Sequence, residues 1–119
     1  MPDFSFGHYE FIDDGIIEIT AHEGAELDLL EAEECLCLYR EHQSIGVLVN
    51  RMHKYTSSLE FNMTVAEAPE VFAFAILVES ERAAMVAESQ KLFFKNPFKI
   101  FFNRDSAMAW LREQRNTAH

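Results

Sequence analysis

Two short apolar runs constrain the fold of this chain more than any other feature of its sequence. Residues 45–50 are Ile-Gly-Val-Leu-Val-Asn, and residues 71–78 are Val-Phe-Ala-Phe-Ala-Ile-Leu-Val. Each run is bounded by polar or charged residues and is far shorter than the roughly 20 apolar residues that cross a bilayer. Short continuous apolar runs are typical of strands covered on both faces, such as the inner strands of a parallel sheet. The chain is therefore predicted to build an α/β fold around these two strands.

Segments with helical spacing and their own start signals lie between and after these strands. A Ser, Asp or Asn side chain at the position before a helix accepts a hydrogen bond from a free N–H of the first turn. A carboxylate three residues after Asp28, on Glu31, completes the reciprocal arrangement known as a capping box. Four such starts are present, with predicted caps at Asp28, at Ser57 or Ser58, at Ser80 and at Asp105.

The first part of the chain predicts an antiparallel hairpin. Aromatic and polar residues alternate over residues 4–11, and residues 16–21 are rich in β-branched side chains. Asp14-Gly15, between these segments, suits a tight turn. With a last short strand over 98–102, the order is ββαβαβαβα. We predict one domain over residues 1–119, with a mixed, mostly parallel sheet, a leading antiparallel hairpin and about four helices.

The charge of the chain argues against two classes of partner. The net charge is −10, and residues 1–50 alone carry twelve Asp and Glu against one Arg. Such an acidic half opposes binding to nucleic-acid phosphates and to anionic membrane surfaces. The sequence also lacks a basic and hydrophobic leader at Met1, and no run is long enough for membrane insertion. A cytoplasmic location is expected.

Sequence signals for catalysis and metal binding are lacking. The chain has neither a Gly-x-Ser-x-Gly elbow nor a glycine-rich phosphate loop. Its five histidines do not stand at metal-site spacings. Cys35 and Cys37, two apart in a predicted helix, point in different directions, so neither a disulfide between them nor a shared metal is expected. We predict a non-enzymatic protein with no catalytic residue, no metal and no cofactor.

The candidate functional site is the polar segment that follows the first apolar run. Its basic residues are Arg51, His53 and Lys54, and its hydroxyl residues are Thr56, Ser57 and Ser58. In open α/β sheets, sites lie beyond the carboxyl ends of inner strands. The basic residues form either a solvated loop or a cluster that binds an anion or a partner. The serines are either helix caps, worth about 1 kcal/mol each, or phosphorylation sites on a helix N-terminus.

Three segments carry a resemblance to a known family. Leu48-Val49-Asn50 ends a strand, Tyr55-Thr56-Ser57-Ser58-Leu59 opens a helix, and residues 101–111 are Phe-Phe-Asn-Arg-Asp-Ser-Ala-Met-Ala-Trp-Leu. Together with the element order, these segments resemble the STAS-like proteins, relatives of the anti-sigma-factor antagonists that include small stand-alone bacterial members. In regulatory members, a serine at this helix start is phosphorylated by a kinase that is also the binding partner. By position the candidates here are Ser57 and Ser58, with Thr56 beside them. The family's Asp-Ser-Ser-Gly motif has lost its acidic residue and its glycine in this chain.

Two hypotheses about function come from these observations. The first is a non-enzymatic regulatory or protein-interaction domain that presents residues 51–60 to a partner protein. The second is a domain that binds a small apolar or anionic ligand between the 51–58 loop and the helix from residue 81, where phenylalanine and methionine side chains line a pocket. A homodimer is a further expectation, through an exposed edge strand or through Leu27 and Leu38.

Overall fold

The computed structural model describes residues 3–118, and its elements follow the predicted order with short additions. Met1, Pro2 and His119 lie outside the described residues. The strands are β1 (Asp3–Phe4), β2 (Gly7–Asp13), β3 (Ile16–Ala21), β4 (Glu26–Leu27), β5 (Ile45–Asn50), β6 (Thr56–Ser57), β7 (Val71–Leu77) and β8 (Phe98–Phe101). The helices are α1 (Leu29–Arg40), α2 (Leu59–Ala66), α3 (Glu81–Gln90) and α4 (Arg104–Ala118), and a short 3-10 helix (Lys91–Phe93) follows α3.

Six strands form one mixed sheet in the order β1-β2-β3-β5-β7-β8. The pairs β1–β2 and β2–β3 are antiparallel, and the pairs β3–β5, β5–β7 and β7–β8 are parallel. The predicted Asp14-Gly15 turn joins β2 to β3, and Gly15 has a φ of 70°, which glycine adopts without strain. The predicted α/β class, the leading hairpin and the mostly parallel sheet are confirmed. A second, two-stranded sheet pairs β4 with β6 and was not predicted.

The helices cover the two faces of the sheet unequally. Each parallel connection advances the sheet in the same direction, and right-handed crossovers therefore place α1, α2 and α3 on one face. Side chains alternate between faces along a strand, so Val47 joins the core under these three helices while Leu48 joins the core under α4. Leu111 of α4 is fully buried and packs in the same core as Leu48.

Side-chain caps start each helix, and three of the four predicted positions are confirmed. Asp28 and Glu31 form the capping box of α1, Ser58 accepts a hydrogen bond from the N–H of Phe61, and Ser80 accepts one from the N–H of Ala83. The prediction of Asp105 as the cap of α4 is wrong. Asn103 Oδ1 accepts the hydrogen bond from the N–H of Ser106 at 2.9 Å. Asp105 instead lies in the first turn of α4, where a negative charge favours the helix dipole.

The predicted dimer surface through Leu27 and Leu38 is also wrong, because both side chains are 5% exposed. Pairing of β4 with β6 draws the segment before α1 against the segment before α2 and turns Leu27 inward. Leu29, the first residue of α1, is 54% exposed. Association through a sheet edge stays a prediction.

Candidate functional site

The segment over residues 51–58 begins where two parallel strands end side by side. Asn50, the last residue of β5, pairs with Leu77, the last residue of β7. The N–H of Arg51 donates to the carbonyl of Leu77 at 2.9 Å. The segment therefore leaves the sheet at the carboxyl ends of its inner strands, which is where ligands bind in open α/β sheets.

Asn50 fixes the direction in which the segment leaves the sheet. Its Oδ1 accepts a hydrogen bond from the N–H of Met52 at 3.0 Å, and its Nδ2 donates to Glu18 Oε2 at 2.7 Å. Glu18, on β3, also pairs with both terminal nitrogens of Arg104 at the start of α4. The hydrogen bond from Arg104 lowers the pKa of the Glu18 carboxyl, against the effect of partial burial. Strands β3 and β5 and helix α4 are thus tied together at the edge of the site.

Glu18→Gln is expected to lose less unfolding free energy than wild type when the pH is lowered from neutral to about 3. A carboxyl group whose pKa is lower in the folded protein stabilises the fold at pH values above its ordinary pKa of 4.5. That contribution is lost as the pH falls through the folded-state pKa. Urea unfolding between neutral pH and about pH 3 should show a smaller loss of unfolding free energy for Glu18→Gln than for wild type. Glu88→Gln, at an exposed position of α3, is the control and should follow wild type. Parallel curves for wild type and Glu18→Gln would contradict the prediction.

An internal cavity of about 60 Å³ lies beneath the 51–58 segment, between the sheet and helices α1, α2 and α3. Its walls are mainly apolar. The sheet contributes Ile19, Val49 and Ile76, and the aromatic side chains are those of Phe6, Phe61, Phe74, Phe94 and Phe98. Polar side chains also line it, with Arg51 and Tyr55 from the segment, Asn62 from α2 and Gln90 from α3, and α1 adds Cys35 and Tyr39.

A chain of hydrogen bonds links the polar side chains of Arg51, Gln90 and Asn62. Arg51 Nη2 donates to Gln90 Oε1 at 2.7 Å, and Gln90 Nε2 donates to Ser57 Oγ at 3.2 Å. Asn62 Nδ2 donates to the same hydroxyl at 3.1 Å. The chain connects the loop, α3, β6 and α2 around the cavity. Ser57 is thereby held as the shared acceptor of two amide donors.

The Arg51 guanidinium is incompletely satisfied. Its Nε is buried without a hydrogen-bond partner, and within residues 3–118 no carboxylate oxygen lies within 4.0 Å of its nitrogens. Besides its hydrogen bond to Gln90, the guanidinium lies over the Tyr55 ring, with the ring centroid 5.1 Å from the Arg51 Cζ. Burial raises the pKa of the Tyr55 hydroxyl, and the positive charge of Arg51 opposes that shift. A buried N–H donor without an acceptor is costly, and a bound anion would supply one.

The three predicted basic residues line the same outer cleft but differ in exposure. Arg51 turns inward to the cavity, whereas His53 and Lys54 are exposed. His53 Nδ1 lies 3.6 Å from Glu23 Oε2, and the backbone N–H of Lys54 donates to the same oxygen at 2.9 Å. The outer cleft has a volume of about 550 Å³ and lies between the segment and the start of α3. Arg51 and Tyr55 line the cavity as well as this cleft, so they separate the two spaces.

The three predicted hydroxyl residues occupy three different environments. Thr56 is exposed, and its backbone N–H pairs with the carbonyl of Ala25 in the β4–β6 sheet. Ser57 is half-buried within the hydrogen-bond chain above the cavity. Ser58 caps α2, and its hydroxyl also donates to Asp28 Oδ1 at 2.8 Å. Ser58 therefore joins the N-termini of α1 and α2.

The nucleophilic groups beside the cavity are held in their neutral forms. Burial raises the pKa of the Cys35 thiol to about 12, and the thiolate is the reactive species. Burial also raises the pKa of the Tyr39 hydroxyl well above its ordinary value. In the part of the chain that the structure describes, no three His, Cys, Asp or Glu side chains are grouped to hold a metal ion.

Sequence reasoning missed two members of the site. Gln90 lies 33 residues from Ser57, with which it forms a hydrogen bond. Asn62 stands among the apolar residues of α2. Asn62 is only 7% exposed. A polar side chain on the buried side of an amphipathic helix is the signal that could have identified it, because buried amides are almost always hydrogen-bonded.

Comparison with solved structures identifies the fold. The structure is similar to that of an uncharacterized protein from Shewanella loihica PV-4, described as a DUF3478 family member with a SpoIIAA-like fold. The TM-score is 0.62 and the identity 18%, over 93% of this chain and 98% of the other. No protein-family model and no curated protein matches the sequence. The chain thus has the SpoIIAA-like, or STAS-like, fold. Within residues 3–118 no helix is both long enough and apolar enough to span a membrane.

Proposed function

We propose that this SpoIIAA-like domain is a non-enzymatic binding domain that holds a small apolar or anionic molecule in the cavity beneath residues 51–58. The cavity itself is the observation that carries the proposal. Protein interiors are packed as densely as organic crystals and contain few voids larger than a water molecule. Small-ligand sites are mostly apolar and contain a few convergent polar groups, and the cavity has this character. Its volume of about 60 Å³ is less than half of the roughly 150 Å³ that accommodates benzene, so the ligand is small.

The surroundings of the cavity support a route for entry and a lack of catalysis. Arg51 and Tyr55 separate the cavity from the outer cleft, so movement of these two side chains would connect the two spaces. The Cys35 thiol beside the cavity has a pKa raised to about 12 by burial, which leaves it protonated and unreactive near neutral pH.

Ala21→Val is expected to abolish ligand binding without loss of stability. Ala21 is buried on β3 and lines the cavity, so the two added carbon atoms occupy space that is otherwise unfilled. Ala73→Val is the matched control, because Ala73 is buried against α4 in the densely packed core on the other face. Overpacking there should cost about 1 kcal/mol or more. Urea unfolding of both variants measures the difference. Equal destabilisation of the two variants would contradict the presence of unfilled space beside Ala21.

Ligand binding itself is tested by native mass spectrometry of the purified protein and by a thermal-shift screen of small acids, alcohols and aromatic compounds. A ligand that copurifies, or a compound that raises the melting temperature of wild type and not of Ala21→Val, supports the proposal. The proposal fails if no ligand copurifies and every compound changes the melting temperature of wild type by the same amount as that of Ala21→Val.

A second candidate function, a phosphorylation-controlled protein-interaction domain, is favoured by the position of Ser58. Its hydroxyl links the caps of α1 and α2, and a phosphate there would face the Asp28 carboxylate. Leu59, the next residue, is 53% exposed and is available to a partner. Incubation with cognate serine/threonine kinases, followed by intact-mass measurement, tests this function. An unmodified protein, together with unchanged partner binding by Ser57→Ala and Ser58→Ala, would rule it out.

A further inference from the structure

The unsatisfied Nε–H donor of the Arg51 guanidinium indicates the chemical class of the ligand. In a guanidinium group, Nε–H and one N–H of Nη2 point in parallel along one edge, which matches the two oxygens of a carboxylate. In this protein Nη2 donates to Gln90 Oε1, and Nε is buried without a partner. Nε–H is therefore an unsatisfied donor beside an Nη2 that already has one acceptor.

The charge around this edge also favours an anion. Within residues 3–118 no carboxylate oxygen comes within 4.0 Å of the Arg51 nitrogens. The Tyr55 ring and the Gln90 amide stabilise the cation but do not neutralise it. An anionic ligand would supply the missing charge in a region of low dielectric, where such a pair is stronger than in water.

On the basis of the proposed function, we propose that the ligand is a short-chain carboxylate. Its carboxylate group binds the Nε–Nη2 edge of Arg51, and its hydrocarbon tail lies against Val49, Phe74 and Ile76. The arginine edge can hold either a carboxylate or a phosphate, but a carboxylate is smaller and carries a single charge, which suits a cavity of about 60 Å³ with mainly apolar walls. The cavity volume of about 60 Å³ limits the tail to about two or three carbon atoms.

Binding of the carboxylate rearranges the hydrogen-bond chain above the cavity. One carboxylate oxygen takes the Nε–H of Arg51, and the other replaces Gln90 Oε1 on Nη2. Gln90 is then released from Arg51 while its Nε2 still faces Ser57 Oγ, from which it is 3.2 Å away. The ligand is thereby coupled to β6 and to the start of α2.

The test is calorimetric titration of wild type with straight-chain carboxylic acids of increasing length and with the alcohols of equal length. Acids with about two or three tail carbons should bind at least tenfold more tightly than the matched alcohols. Arg51→Met should lose this preference, and Arg51→Lys, which keeps the charge without the two-donor edge, should retain only part of it. Arg40→Met, at an exposed position at the end of α1, is the control and should bind as wild type does.

Gln90→Glu provides a second test that does not remove Arg51. It places a carboxylate of the chain itself where Gln90 Oε1 now accepts from Nη2 at 2.7 Å. Acid binding should fall at least tenfold while alcohol binding is retained. Gln43→Glu, which adds the same charge at an exposed position, should leave both unchanged.

The outcomes separate this inference from the proposed function. Equal affinities of wild type for acids and alcohols, with alcohol binding blocked by Ala21→Val, would overturn the carboxylate inference and leave the binding function intact. Acid binding that survives in both Arg51→Met and Gln90→Glu would also overturn the inference. Lack of binding by every acid and every alcohol would overturn the carboxylate inference, and the proposed function would fall with it only if the aromatic compounds and native mass spectrometry also reveal no ligand.

Discussion

Gly7→Ala is expected to destabilise the protein by about 3 kcal/mol, although it adds a single methyl group. A Cβ atom at Gly7 would lie 2.1 Å from the carbonyl oxygen of Thr20 and 2.8 Å from the Cα of Ala21. Both atoms belong to the backbone of β3, which pairs with β2 at this point. They cannot rotate away as the end of a side chain can, so the two strands must separate locally. Urea unfolding, followed by circular dichroism, measures the loss.

Gly24→Ala is the control that separates close approach from backbone conformation. Gly24 has a φ of 80°, and no atom lies within 4 Å of a Cβ built there. Alanine at Gly24 should therefore cost only the strain of a left-handed conformation, about 1 kcal/mol. Gly7 does not have a positive φ, so its sensitivity has a different origin. A Gly7→Ala variant as stable as Gly24→Ala would contradict the close packing of β2 on β3.

The sensitivity of Gly7 illustrates what local sequence patterns cannot predict. The two apolar runs predicted the inner strands correctly, because burial on both faces leaves a signature within each run itself. Gly7 occupies an ordinary position in an alternating strand, and its requirement arises from a cross-strand contact with Thr20. The β4–β6 pairing was missed for the same reason. Glu26-Leu27 and Thr56-Ser57 are too short to have a strand pattern, and they pair only because α1 and α2 bring them together.

The candidate site was predictable in position but not in composition. The end of an inner strand predicted where residues 51–58 would lie, and the sequence also predicted a ligand space between this loop and the helix from residue 81. The division of the basic residues was not predictable. Arg51 faces the cavity because its backbone continues the β5–β7 ladder through Leu77, whereas Glu23 holds the following residues at the surface. Gln90 joins Arg51 only through tertiary packing of α3.

Ser58→Asp is expected to lower the free energy of unfolding at pH 7 by about 1 kcal/mol relative to Ser58→Asn. Asp and Asn cap helices about equally well, so both variants keep the cap of α2. The hydroxyl of Ser58 now donates to Asp28 Oδ1 at 2.8 Å. An asparagine amide can still donate to this oxygen, but a carboxylate places a second negative charge against it, and solvent screening leaves a repulsion of about 1 kcal/mol. Urea unfolding of the two variants at the same ionic strength measures the difference.

Acidification provides the internal control for this comparison. Protonation of either carboxyl group in Ser58→Asp removes the repulsion and lets the pair share a hydrogen bond. The stability difference between the two variants should therefore shrink as the pH falls and vanish near about pH 3. If Ser58→Asp is already as stable as Ser58→Asn at pH 7, the junction of α1 with α2 tolerates negative charge at residue 58. A phosphate on Ser58 would then not separate the two helix starts, and the phosphorylation-controlled function would lose its structural basis, whereas ligand binding beneath residues 51–58 would be unaffected.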